Sequence, residues 1–130
     1  MRIFLDANIL FSAARPGSRM RAFLEVLSKR ARLLTNAYAV EETRRNLKLK
    51  SPNDLESLDR MVGRCEMGLQ LAADLEIELP LKDRPILGGA IAGHATHLLA
   101  GDERDFGRFW GKTVQGVKIV SPKMLAEEVL

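Results

Sequence analysis

The residues of this sequence whose types and spacing could do chemistry are acids: Asp6, Asp83, Asp102 and one of the neighbours Glu41 and Glu42. Asp6 closes the short apolar run Arg2-Ile3-Phe4-Leu5, and the amide of Asn8 follows two residues later. Asp102 closes the run His97-Leu98-Leu99-Ala100-Gly101, and Asp83 opens the segment Asp83-Arg84-Pro85 after Glu76-Ile77-Glu78-Leu79. Ligands of open α/β sheets sit in the crevice at the carboxyl ends of the strands, so acids at these addresses would meet in one place. Gathered carboxylates repel, raise one another's pKa and destabilise the fold unless a cation joins them. Mg²⁺ and Mn²⁺ prefer all-oxygen sites and keep waters that can become nucleophiles, which suits phosphodiester hydrolysis. Taken singly, each Asp also fits as a helix cap, and Glu41 and Glu42 as solvated helix residues.

Periodicity and capping give the elements that must position these acids. Residues 2–5 read as a buried strand. Asn8 is predicted to cap a helix reaching Ala14, Pro16-Gly17-Ser18 interrupts it, and a second helix runs over about 18–30 with Ala22, Leu24, Val26 and Leu27 inward. Residues 32–35 form the second strand, and Asn36 caps a helix over 37–50 that packs Tyr38, Val40 and Leu47. Ser51-Pro52-Asn53-Asp54 starts a long amphipathic helix with Leu55, Leu58, Val62, Cys65, Leu69 and Ala72 on one stripe. Residues 76–79 alternate like a half-exposed strand ended by Pro80. The helix from Asp83 contains Gly88-Gly89, which predicts a close approach of its backbone to the sheet or a neighbour. Residues 97–101 and 117–120 are further strands, 103–109 a polar connection or short helix, and Ser121-Pro122 caps a last helix. Alternating strands and helices predict an α/β fold with a mostly parallel sheet covered on both faces.

At 130 residues, 46% hydrophobic and 28% charged, the chain reads as one compact soluble domain over 1–130. Its apolar runs fall far short of the roughly 20 residues that span a bilayer, so a cytoplasmic protein with no membrane partner is predicted. Cys65 is the single cysteine, which excludes an internal disulfide and a thiolate metal cluster. Residues 1–64 carry thirteen Lys and Arg against seven acids, whereas 65–130 carry seven against ten. The basic groups Arg15, Arg19, Arg21, Lys29, Arg30, Arg32 and Arg44, Arg45, Lys48, Lys50 read as a phosphate-binding rim or as solvated helix faces. Arg15, Arg19, Arg44, Arg45 and Lys48 are the candidate nucleic-acid contacts. No glycine-rich phosphate loop or nucleophile elbow is present, and the predicted helix end separates His94 from His97. Trp110, after Phe106 and Phe109, reads as a packed edge.

Five stretches together resemble the PIN-domain family: Ile3-Phe4-Leu5-Asp6-Ala7-Asn8; Tyr38-Ala39-Val40-Glu41-Glu42 with Leu47; Asp83-Arg84-Pro85-Ile86-Leu87 with Ala90; Leu98-Leu99-Ala100-Gly101-Asp102-Glu103-Arg104-Asp105-Phe106; and Val117-Lys118-Ile119-Val120-Ser121-Pro122. The resemblance covers essentially the whole chain in the family's motif order. It implies a three-layer α/β/α PIN-like fold and a metal-dependent ribonuclease, with RNA as substrate. Many small prokaryotic members are toxins held inactive by an antitoxin, which makes a cognate antitoxin a candidate partner. By position, the resemblance implies that Asp6, Glu42, Asp83 and Asp102 hold Mg²⁺ or Mn²⁺, that Asp105 is a further ligand or support, and that Asn8 orients Asp6 or a water. The family's spacing to Leu47 favours Glu42 over Glu41. Two departures bear on metal binding: Ala100 stands where many members have Thr or Ser, and Lys82 directly precedes Asp83. Related domains often dimerise, and apolar helix positions near Leu24 or Leu58 are candidate homodimer contacts. The residues also accommodate a non-catalytic nucleic-acid- or protein-binding module, or a phosphatase-like α/β hydrolase.

Overall fold

Arg2–Leu5 forms the first strand, β1, and Ile3, Phe4 and Leu5 are fully buried, as in a parallel strand covered on both faces. The structure is a computed structural model that describes residues 1–69 and 74–130. After β1 come α1 (Ala7–Ala14), α2 (Arg19–Ser28), β2 (Arg32–Asn36), α3 (Ala37–Lys50), α4 (Leu55–Val62) and β3 (Glu66–Gly68). The chain continues with α5 (Arg84–Ala92), β4 (His97–Leu99), α6 (Glu103–Phe106), β5 (Thr113–Val114), β6 (Val117–Val120) and α7 (Pro122–Val129). The sheet order is β3-β2-β1-β4-β6-β5, and every neighbouring pair is parallel except the β5–β6 hairpin.

This order positions a site. From β1 the chain steps outward to β2 and β3, then returns past β1 to lay down β4 and β6 on the other side. Parallel crossovers are right-handed, so the reversal puts α1 to α4 over one face and α5 and α6 over the other, the three-layer α/β/α arrangement expected. It also makes the carboxyl ends of β1 and β4 a topological switch point, where such sheets open their ligand crevice. Helix α5 lies close enough to the sheet that a Cβ at Gly89 would overlap Asn36 Nδ2 and stand 3.2 Å from Phe4 Cε2. Glycine there permits the close approach predicted from Gly88-Gly89.

Helix α3 begins and ends where its signals place it, with Asn36 Oδ1 accepting from the Ala39 amide at 3.0 Å. Other elements differ from the sequence reading. Asp6, not Asn8, caps α1, because its carboxylate accepts from the adjacent Ala7 amide at 2.6 Å. On α2 only Leu24 and Leu27 are buried; Ala22 and Val26 face outward. The long helix predicted from Leu55 stops at Val62 with Gly63 as its cap, and Glu66–Gly68 pair with β2 as an edge strand. Cys65 and Leu69 therefore leave the helical stripe, and Ala72 lies outside the described residues.

Residues 76–79 are not a strand, because side chains satisfy the backbone there in place of a ladder. Gln115 Oε1 accepts from the Glu76 amide at 2.9 Å, and Arg108 Nη2 donates to the Glu78 carbonyl at 3.3 Å. Strand β5 has no counterpart in the sequence reading; it turns back through Gln115 and Gly116, both at positive φ, 48° and 89°. Leu24 and Leu58 are 4% and 0% exposed, so these two side chains belong to the core and offer no surface to a second copy. Among the described residues no helix is long and apolar enough to cross a membrane.

Candidate metal centre

The end of β1 fixes Asp6 by four hydrogen bonds to the backbone. Its amide donates to the Leu99 carbonyl at 3.1 Å, its carboxylate takes the Ala7 amide, and its carbonyl accepts from Ile9 and Leu10. Glu42 lies on α3 and lines the same cleft, while Glu41 is exposed and lies outside that lining. Thr43 beside it places Oγ1 3.1 Å from the Ala7 carbonyl and 2.8 Å from that of Ala39, joining α3 to the start of α1. Asp83 ends a 3-10 turn at the start of α5, yet its side chain makes no capping bond. Its carboxylate is thereby left to the cleft. Asp102 caps α6 through the Arg104 amide at 2.9 Å, and Asp105 follows on that helix.

These acids line one cleft of about 240 Å³ together with Asn8, Phe11, Asn46, Lys50 and Lys82. Asn8 Oδ1 accepts from the Gly101 amide at 3.2 Å and so holds the loop that carries Asp102. Burial raises the Asp6 pKa from 3.8 to about 7, against the pull of the Ala7 amide and with help from the charges of Asp83, Glu42 and Asp102. Burial likewise raises Asp83 to about 7, and the neighbouring Asp105 charge adds to the rise against Lys82. Asp83 is 7% exposed, and among the described residues its buried Oδ2 has no hydrogen-bond partner. Burial pushes Asp105 upward, but the Lys82 ammonium and hydrogen bonding with Asp102 outweigh it and hold that carboxyl below its ordinary value.

The basic residues are less concentrated. Arg15 reaches the rim, with its guanidinium 5.3 Å from the Phe11 ring centroid. Arg44 is instead committed to Asp59 at 2.8 Å, a bridge from α3 to α4. Arg19, Arg45 and Lys48 are exposed and lie outside the cleft lining. Sequence reading left Phe11 and Asn46 out of the site and kept Lys50 only among the basic residues. Helical spacing offered the signal, since Glu42, Asn46 and Lys50 stand four residues apart on α3.

Solved structures share this architecture. VapBC2 from Rickettsia felis, bound to a promoter DNA fragment, superposes with a TM-score of 0.70 at 19% identity, covering 93% of this chain and 98% of that one. VapBC-1 from nontypeable Haemophilus influenzae gives 0.60 at 15%, covering 93% and 98%. VapC20 from Mycobacterium tuberculosis, described as a Sarcin-Ricin loop cleaving toxin, gives 0.58 at 12%, covering 86% and 98%. The chain has the PIN-like fold. No protein-family model matches the sequence, and no curated protein matches it.

The PIN-like cleft fits a hard divalent cation in its donor chemistry: all its acids offer oxygen, two are held near neutrality by burial and mutual repulsion, and Asp83 Oδ2 waits unpaired. Among the described residues, however, no three of them stand close enough to clasp one ion as they are. Asp105 is turned to Lys82, whose Nζ is 2.9 Å from Oδ2. Ala100, where the resemblance implies a hydroxyl, is fully buried and supplies none.

Proposed function

We propose that this PIN-like chain is a divalent-metal-dependent ribonuclease that hydrolyses RNA phosphodiester bonds, and that it is the toxin of a toxin–antitoxin pair. The observation that carries the reading is the pair Asp6 and Asp83, both buried at the switch point and raised to about 7, one with an unpaired buried oxygen. Carboxyls kept in that condition within one cleft are a cost to folding that a cation would offset. Asp6, Glu42, Asp83 and Asp102 would hold Mg²⁺ or Mn²⁺, with Asp105 at their side. When bound, such an ion supplies charge stabilisation to a phosphodiester and lowers the pKa of water.

The chain's own contribution is placement. The Leu99 carbonyl and Ala7 amide hold Asp6, and Asn8 holds the Asp102 loop. Arg15 and Lys50 flank the Phe11 ring at 5.3 and 5.7 Å, which puts two cations and an aromatic edge at the mouth for an RNA backbone. Binding of that kind weakens as salt rises. The toxin reading draws on VapC20, which is described as a toxin at 12% identity.

The test is cleavage of a panel of single-stranded and structured RNAs with Mn²⁺, with Mg²⁺ and with chelator, beside Asp6→Ala. Cleavage that needs both the ion and Asp6 supports the nuclease. A second reading, a nucleic-acid-binding module without catalysis, is favoured by the lack of a tight trio of ligands and by the Lys82–Asp105 pair. RNA binding that ignores divalent ions, with no cleavage across the panel, would establish it. Co-expression with the product of an adjacent gene tests the antitoxin: relief of growth arrest supports the pair.

A further inference from the structure

We propose that Lys82 is a tethered second cation of the carboxylate cleft: its ammonium occupies the Asp105 side, so the cleft takes one divalent ion, on the side of Asp6, Glu42 and Asp83. This rests on the metal-site reading above and sets its stoichiometry. Lys82 Nζ stands 2.9 Å from Asp105 Oδ2, and the two side chains are 57% and 12% exposed. The lysine thus reaches from solvent onto a largely buried carboxylate. Its backbone is not free to drift away, because it precedes Asp83 in the 3-10 turn Leu81–Asp83, closed by the Asp83 amide on the Pro80 carbonyl at 2.9 Å.

Sequence neighbours therefore present opposite charges to one cleft from one short turn. The other ammonium in the lining, Lys50, lies over the Phe11 ring at 5.7 Å, which leaves Lys82 as the cation in ion-pair contact with a cleft carboxylate among the described residues. A divalent ion drawn to Asp105 would have to displace this ammonium and then sit beside it. Like charges at that separation in a partly buried site repel strongly. An ion held by Asp6, Glu42 and Asp83 would displace no ammonium from an ion pair, although the Lys82 charge also reaches Asp83, and it would have the unpaired Asp83 Oδ2 to draw it.

The experiment is calorimetric titration of metal-free protein with Mn²⁺, with the number of ions checked by electron paramagnetic resonance. The wild type is expected to bind one equivalent, Lys82→Met two, and Lys82→Arg one, because arginine keeps the charge. Thermal melts confirm that each variant is folded. One equivalent in both wild type and Lys82→Met overturns the proposal and leaves the metal site standing, as do two equivalents in the wild type. A folded wild type that binds no Mn²⁺ overturns the proposal together with the metal-site reading.

Discussion

At the starting ends of the strands, Glu66 and Glu128 each sit against a cation, Arg2 and Lys118. Arg2 pairs with Glu66, while His97 Nε2 and Lys118 Nζ reach Glu128 at 2.9 and 3.3 Å. At the finishing ends Asp6, Glu42, Asp83, Asp102 and Asp105 share a cleft with Lys50 and Lys82, and among the described residues the buried Asp83 Oδ2 has no partner. The same residue types are used in opposite ways. Where acids are matched by cations they hold the sheet together; where they are crowded, Asp6 and Asp83 are raised to about 7, ready for a ligand of opposite charge.

The largest effect that would break this comparison is on chemistry. Asp6→Ala should lower metal-dependent cleavage of RNA by at least about a thousandfold, the scale of several kcal/mol of lost charge stabilisation. It should still fold, since loss of a cap worth about 1 kcal/mol is offset by removing a buried charge. Unchanged turnover would sink the assignment of the site.

The pH dependence is next. A carboxyl raised from 3.8 to about 7 on folding costs nothing below pH 3.8, where both states hold the proton. The cost grows as the unfolded state ionises and is complete above about pH 7, on the order of a few kcal/mol for a group as buried as Asp6. In chelator, therefore, the contribution of Asp6 should lower Tm from pH 4.5 to pH 8. Asp6→Asn should raise Tm at pH 8 by more than at pH 4.5, where only the first part of the cost is present, and saturating Mn²⁺ should recover stability in the wild type only. A melting curve in which Asp6→Asn is neutral at pH 8 would refute the strain assigned to the cleft.

Smaller effects sharpen the contrast. Gly89→Ala should destabilise by about 1–3 kcal/mol, because the new methyl meets Asn36, which is fixed at Ala39 and Pro85, and the ring of Phe4. Denaturant unfolding measures it. At the matched end, Glu128→Gln should cost no more than about 1 kcal/mol and leave Mn²⁺ affinity unchanged, which titration calorimetry checks.

Legibility in the sequence followed the range of the forces involved. The bounds of α3 were readable because Asn36 and Ser51-Pro52 act on their own neighbours. Asp6, Asp83 and Asp102 were readable as a group because a carboxylate at a strand end or a helix start needs only local pattern to find. Strand β3 was hidden because the spacing of Leu55, Leu58, Val62 and Cys65 runs helically past Gly63, and only β2 alongside makes Glu66–Gly68 a strand. Residues 76–79 alternate as a strand does, yet Gln115 and Arg108, thirty or more positions away, satisfy them. The Lys82–Asp105 pair and Phe11 at the rim arise from segments brought together by the fold, which no local pattern announces.

Thr43 has a mechanical consequence. By bridging the carbonyls of Ala39 and Ala7, it makes the turn carrying Glu42 and the cap carrying Asp6 parts of one stiff frame. Thr35 Oγ1 on the Leu5 carbonyl, Asn8 on the Gly101 amide and Asn36 on the Pro85 carbonyl extend that frame to the roots of Asp102 and Asp83. Asp105, on a helix of four residues, is gripped by a lysine from across the gap. The cleft is a vice with one jaw braced by backbone hydrogen bonds and the other held by a single ion pair.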